Sequence, residues 1–218
     1  MEVYFLEAKE PLTKRFALKP DGKTIAVESY PHVTNFRSHV HAVENIEQFH
    51  ALLLQHASKG HCLLKGQLTK PLTFESRAGS TDPYTPTEFI VLDVDGLPDH
   101  TPEDVLNKLN IPRNCDYIIQ YSASQGVMPK KGLSCHIYIM LEEPRSPPQI
   151  KQWLIQQNLE KFDQYITLTA SGIALHYPID ITACQNDKLI YIAPPICTPP
   201  SLDPLPPEER IKLIKGIE

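Results

Sequence analysis

The chain has 218 residues, of which 41 % are hydrophobic and 22 % charged, with a formal net charge of −5. That is a globular composition with room for one large domain or two small lobes, and no apolar run approaches the roughly 18 residues that a membrane helix needs. The net acidity gives no global pull toward nucleic acid, and the five scattered cysteines (Cys62, Cys115, Cys135, Cys184, Cys197) form no Cys-x-x-Cys pair, which argues against a disulfide framework or a structural zinc knot.

Met1–Glu7 lacks the basic start and long apolar core of a secretory signal, so a cytoplasmic protein with no membrane partner is expected. Residues 1 to about 44 carry short strand-like pieces at Val3–Leu6, Arg15–Leu18, Ile25–Ser29 and Val40–Val43. Within them, His39–Val40–His41 resembles the His-hydrophobic-His metal pair of rolling-circle nucleases. No well-placed catalytic tyrosine follows, and the reading is an ordinary strand or turn. Asn45 then caps a helix with Ile46, Phe49, Leu52 and Leu53 at helical spacing, ended by Gly60, and His61–Lys65 reads as a strand. A polar, turn-rich loop runs from Gly66 to Glu88, in which Arg77, with Gly79, Ser80 and Thr81 beside it, is a candidate anion holder.

The run Phe89–Ile90–Val91–Leu92–Asp93–Val94–Asp95–Gly96 reads as a buried strand that stops in a charged site. Strand side chains alternate, so Asp93 and Asp95 share a face, roughly 6–7 Å apart along the strand. Two bare carboxylates that close repel, and a divalent cation with a taste for hard oxygen ligands, Mg²⁺ or Mn²⁺, relieves the repulsion. After Gly96, Thr101–Pro102–Glu103–Asp104 is a helix start, and Tyr117–Ser122 is the next strand. A loop holding Lys130 and Lys131 leads into a strand over Leu133–Leu141, on which Ser134 and His136 share a face. Hydroxyl, imidazole and ammonium groups there converge as donors for a polyanion such as a triphosphate. Pro147–Tyr165 reads as a helix with Ile150, Trp153, Leu154 and Leu159 inward. Ile179–Asp180–Ile181 is a third apolar segment with an acid, and Lys188 opens a further strand. Pro194–Pro207 holds seven prolines in fourteen residues, an extended spacer before the start of a helix at Glu208–Ile214.

The order apolar-Asp-x-Asp (Val91–Asp95), Ser-x-His (Ser134–His136) and apolar-Asp (Ile179–Asp180) resembles the archaeo-eukaryotic primase superfamily, with its primase-polymerases of mobile elements and eukaryotes. The resemblance covers about residues 75–195. It implies an α/β (α+β) primase-like fold: an N-terminal α/β module (about 1–74) packed on an RRM-like antiparallel module (about 75–194) that carries the active site. The tail over 195–218 is a spacer and helix start. The resemblance further implies template-directed nucleotidyl transfer with (d)NTPs on a single-stranded DNA template and primer, in the cytoplasm or from a phage or plasmid. A helicase or C-terminal primase domain would complete the machinery. Two divalent ions, Mg²⁺ or Mn²⁺, would be held by Asp93, Asp95 and Asp180, and Ser134, His136, Lys131, Lys188 and Arg77 would bind the nucleotide.

Two rival readings remain. Val-Leu-Asp-Val-Asp-Gly also resembles the haloacid-dehalogenase phosphatases, with Asp93 as nucleophile and Asp95 as acid/base. Against this, Leu97 stands where that family has Thr or Ser, the motif begins some ninety residues into the chain, and no late acidic pair is evident. The other is a catalytically reduced nucleic-acid-binding module, which should show exposed aromatics on its sheet where this sequence puts acids.

Overall fold

The alternating apolar stretches are realised in a mixed α/β structure with several antiparallel sheets and few helices. The computed structural model describes residues 1–128 and 132–217. The first half runs β1 (Glu2–Glu7), β2 (Arg15–Leu18), β3 (Ile25–Glu28), β4 (Asn35–Ala42), α1 (Ile46–Ala57), β5 (Cys62–Leu64) and β6 (Thr73–Ser76). There follow β7 (Thr87–Leu97), α2 (Pro102–Lys108), β8 (Tyr117–Tyr121), β9 (Leu133–Arg145), α3 (Pro147–Lys161), β10 (Thr167–Leu168), β11 (Leu175–His176), β12 (Leu189–Tyr191), β13 (Ile196–Thr198), α4 (Pro207–Arg210) and β14 (Ile211–Ile214). Among the described residues, no helix is long and apolar enough to cross a membrane.

Among the described residues four sheets form, in the orders β12-β5-β1-β4-β6, β13-β2-β3, β14-β8-β9-β7 and the hairpin β10-β11. β9 lies between β7 and β8 and is antiparallel to both, so β7–α2–β8 is a split β-α-β unit. On the outer edge of β7, Pro178–Asp180 zips on antiparallel: Val94 bridges Ile179, the Asp95 N–H reaches the Pro178 carbonyl at 3.3 Å, and the Asp180 N–H donates to the Asp93 carbonyl at 2.8 Å.

β7 is buried on both faces, which is why it reads as a continuous apolar run. Ile90, Leu92 and Val94 pack with Ile137 and Ile139 of β9 against α2 and α3. Phe89 and Val91 face the other way, with Ile118 and Tyr138, onto α1 (Phe49, Leu53) and β1 (Val3, Phe5). α1 is capped as its sequence demands, the Asn45 side chain accepting from the Gln48 N–H, and α2 carries a full Thr101/Asp104 capping box.

Three expectations are corrected. The sheets do not divide at residue 74, because β12 returns to the first sheet and β14 completes the sheet of β7, β8 and β9. The C-terminal helix is only the single turn of α4: Ile211–Ile214 runs as a strand on β8, with Ile211 buried against the α1 core, and the proline-rich stretch is tied down by β13 pairing parallel to β2. On α3 the inward positions are Ile150, Leu154 and Asn158, at i, i+4 and i+8, so Leu159 points to solvent and Trp153 is only partly buried.

Candidate active site

Asp93 and Asp95 continue the face of β7 that begins with Phe89 and Val91, past the end of the α1 cover. Register supplies their neighbours: Asp93 stands opposite His136, which stands opposite Gln120, and Asp95 stands opposite Ser134. Asp93, Asp95, Ser134 and His136 share one face and line a cleft of about 690 Å³, with Gln120 behind His136. Its other walls come from Tyr30, Leu189 and Tyr191 on one side and from the β10–β11 hairpin on the other.

A glycine is needed where the acids end. Gly96 has φ +74°, inside the bulge that shifts the register between Asp95 and Leu97, and its N–H donates to Ser134 Oγ at 3.0 Å. The Ser134 hydroxyl in turn donates to Asp95 Oδ1 at 3.3 Å. Gln120 directs its amide N–H to the Tyr121 carbonyl at 2.6 Å, which leaves its Oε1 to accept from His136 Nδ1. Nε2 is therefore the imidazole nitrogen presented to the cleft, 3.3 Å from Asp93 Oδ1.

Asp180 reaches the cleft through the main-chain zip to β7, and it caps a 3₁₀ turn over Ile181–Cys184. Its carboxylate accepts from the Thr182 N–H (2.8 Å), the Thr182 hydroxyl (2.7 Å) and Lys188 Nζ (2.8 Å). Burial pushes the Asp180 carboxyl up, but these hydrogen bonds outweigh it and hold the group below its ordinary range. Tyr30 stacks on Tyr191 with centroids 3.9 Å apart, and burial, then the Asp93 carboxylate, drives its phenol far up from its usual range.

Asp93, Asp95, Asp180, Ser134, His136 and Lys188 thus meet in one cleft. Lys131 lies outside the described residues. Arg77 is not among the residues that line this cleft: its Nη1 donates to the Asp187 carbonyl at 2.7 Å, and it lines a groove of about 400 Å³ with Gly79, Pro83 and Asn186. The loop after β6 folds onto the 185–187 turn. Sequence reasoning missed Gln120, whose signal was a lone amide in an otherwise apolar strand. It also missed Tyr30, Tyr191 and Thr182, which carry no local signal.

Hard oxygen donors suit Mg²⁺ or Mn²⁺ at Asp93 and Asp95. The three aspartates are nevertheless not gathered tightly. Among the described residues, the group whose ligand atoms all lie within 4.8 Å of one another is Glu7, His39 and His61. Comparison of the chain with protein-family models, with curated proteins and with solved structures returned no match.

Proposed function

We propose that the cleft carries out template-directed nucleotidyl transfer, building a DNA or RNA chain from (d)NTPs on single-stranded DNA, as the motif resemblance to the archaeo-eukaryotic primases implies. The observation that carries the proposal is that Asp180, from far along the chain, joins the Asp93/Asp95 pair of β7 in one cleft, fastened to the Asp93 carbonyl, with Ser134 and His136 opposite the pair. The order β7–α2–β8–β9–α3 followed by an edge segment on β7, with both helices on one face and polar groups on the other, supports an RRM-like catalytic module.

Asp93 and Asp95 are the groups to hold divalent ions, and such ions supply charge neutralisation on the attacking and leaving oxygens and a lowered pKa for the attacking hydroxyl. With Gln120 holding Nδ1–H, His136 turns Nε2 toward the cleft, where the doubly protonated imidazolium form is the one that can donate to a phosphate oxygen. Lys188 neutralises Asp180 and brings one cation to the triphosphate side. The stacked Tyr30–Tyr191 pair offers an aromatic wall for a base or sugar. The phosphatase reading wants a second acidic pair. Beside Asp93 and Asp95, the described cleft lining offers one further acid, Asp180, already paired with Lys188.

The test is extension of a labelled primer on a single-stranded template with Mn²⁺ or Mg²⁺, run beside Asp93→Ala/Asp95→Ala and a phosphoester hydrolysis assay. Template-dependent addition that disappears in the variant is expected. Phosphate release without nucleotide incorporation would refute the proposal and install Asp93 as a nucleophile.

A further inference from the structure

We propose that Glu7, His39 and His61 bind one transition-metal ion of the zinc class, at a site separate from the aspartate cleft. Pairing fixes the geometry. Phe5 on β1 stands opposite His39 on β4 and Leu63 on β5, so Glu7, His39, His41 and His61 all belong to the face of the sheet that carries Phe5. Leu189 and Tyr191, which border the cleft, register with Leu64 and Cys62 and lie on the other face. One ligand atom from each of Glu7, His39 and His61 falls within 4.8 Å of the others, and His39 Nε2 is 2.9 Å from Glu7 Oε2.

A second layer of imidazoles backs this group. Buried His56, stacked on Phe5 with centroids 3.9 Å apart, sets its Nδ1 2.9 Å from His61 Nδ1 and its Nε2 3.0 Å from His41 Nε2. Each nitrogen–nitrogen contact needs one N–H and one lone pair, so the three rings form a relay of linked tautomers. With His61 Nδ1 donating to His56 and His56 Nε2 donating to His41, the His61 Nε2 lone pair is left for an ion. This is the hydrogen-bonded backing that orients metal-ligating histidines.

Two imidazoles and a carboxylate favour Zn²⁺ or Co²⁺ over Mg²⁺, and three protein ligands leave a fourth position for water. The partly exposed Glu7 and His39 give an ion a way in, and the cations that compete with it are Arg37, whose Nη1 is 4.0 Å from Glu7 Oε2, and Lys59, whose charge reaches His61.

The test is titration of the full chain with Co²⁺ in excess Mg²⁺, which occupies the aspartates, followed by displacement with Zn²⁺. Expected are one equivalent of Co²⁺ with the absorption of a tetrahedral, nitrogen-ligated ion, its loss on Zn²⁺ addition, and a thermal midpoint raised by Zn²⁺. Glu7→Gln and His39→Ala, both at partly exposed positions, should each weaken binding by about tenfold or more. His56→Asn should weaken it by about 10–100-fold through His61. Absence of stoichiometric Co²⁺ binding overturns the proposal. So does binding that both Glu7→Gln and His39→Ala leave intact, or binding abolished by Asp93→Ala. Glu7→Gln alone decides the matter if His39→Ala does not fold.

Discussion

Asn158→Leu tests how the third acid is held in place. Asn158 is fully buried on α3, and its side chain donates to the carbonyls of Leu154 (2.8 Å) and Ile179 (2.9 Å) while accepting from the Ile179 N–H (3.1 Å). Leucine repeats the branched skeleton of four heavy atoms, so the change deletes hydrogen bonds without opening a cavity. Three buried bonds at about 1 kcal/mol each, with the polar groups of fully buried Ile179 left unsatisfied, amount to roughly 3–5 kcal/mol. For a chain of this size that is a fall in Tm of roughly 6–20 °C. Thermal unfolding followed by circular dichroism gives the number, and amide hydrogen exchange gives the location. The Asp180 N–H, bonded to the Asp93 carbonyl, should lose protection well below the new Tm, whereas amides of β1 should not. Asn158→Asp keeps the acceptor and loses both donors, and should be no better. A Leu variant that melts within about 1 °C of the parent, with Asp180 still protected, refutes the idea that this amide positions the acid.

Lys65 is buried with Thr87 Oγ1 at 2.7 Å and the Phe89 ring as partners, and desolvation lowers its pKa to about 7. Below pH 7 both folded and unfolded chains carry the proton and the full cost of burying the charge applies. Between pH 7 and the unfolded value near 10.5 the unfolded state binds the extra proton, so stability rises with pH. Lys65→Met should therefore be more stable than the parent by on the order of 4–5 kcal/mol at pH 6, the gap closing by pH 10, and a gap that is the same at both pH values refutes the buried-cation account. Arg210→Met should cost about 3–5 kcal/mol in urea unfolding, because buried Arg210 neutralises Asp203 and donates to the Ser122 (3.0 Å) and Gln125 (3.3 Å) carbonyls; a shift under about 1 kcal/mol would show the proline-rich tail to be dispensable. Gln120→Leu removes the acceptor that fixes His136 Nδ1–H. ¹⁵N spectra of the imidazole should pass from one tautomer to a mixture, and an unchanged spectrum counts against the assignment.

Much of this architecture could be read from local chemistry. Arg15–Leu18, the Asn45 and Thr101 caps and the double-acid strand lie where alternation and capping put them, since those signals depend on neighbours within a few residues. The acid cleft was legible because strand alternation alone places Asp93 with Asp95 and Ser134 with His136 on one face each. What was not legible depends on partners distant in sequence. Asn158 in mid-helix resembles a solvent-facing polar residue until Ile179, 21 positions away, is seen beside it. Glu208–Ile214 opens with a true helical turn after Pro207. The alternation of Ile211 and Leu213 with Lys212 gave way to that N-terminal signal, and β8 was needed as a pairing partner to reveal the strand. Arg77 was grouped with the acids by composition, but its loop is steered by Asp187.

The same sheet also explains why His39–Val40–His41 looked ordinary. Two histidines at alternate positions share a face, but an isolated pair holds no ion. The pair becomes chemically different only when β1 brings Glu7, the approach to β5 brings His61, and the last turn of α1 lowers His56 onto the group. The aspartates line the cleft of the β7–β9 sheet, whereas Glu7, His39 and His61 meet on the sheet of β1, β4 and β5 and are not among the residues that line that cleft. On the two proposals made above, hard ions would go to the cleft and softer ones to the histidines. Occupancy of one should therefore leave the other untouched, so that Mg²⁺ does not compete for the Co²⁺ site and Zn²⁺ bound at His39 does not abolish chemistry at Asp93.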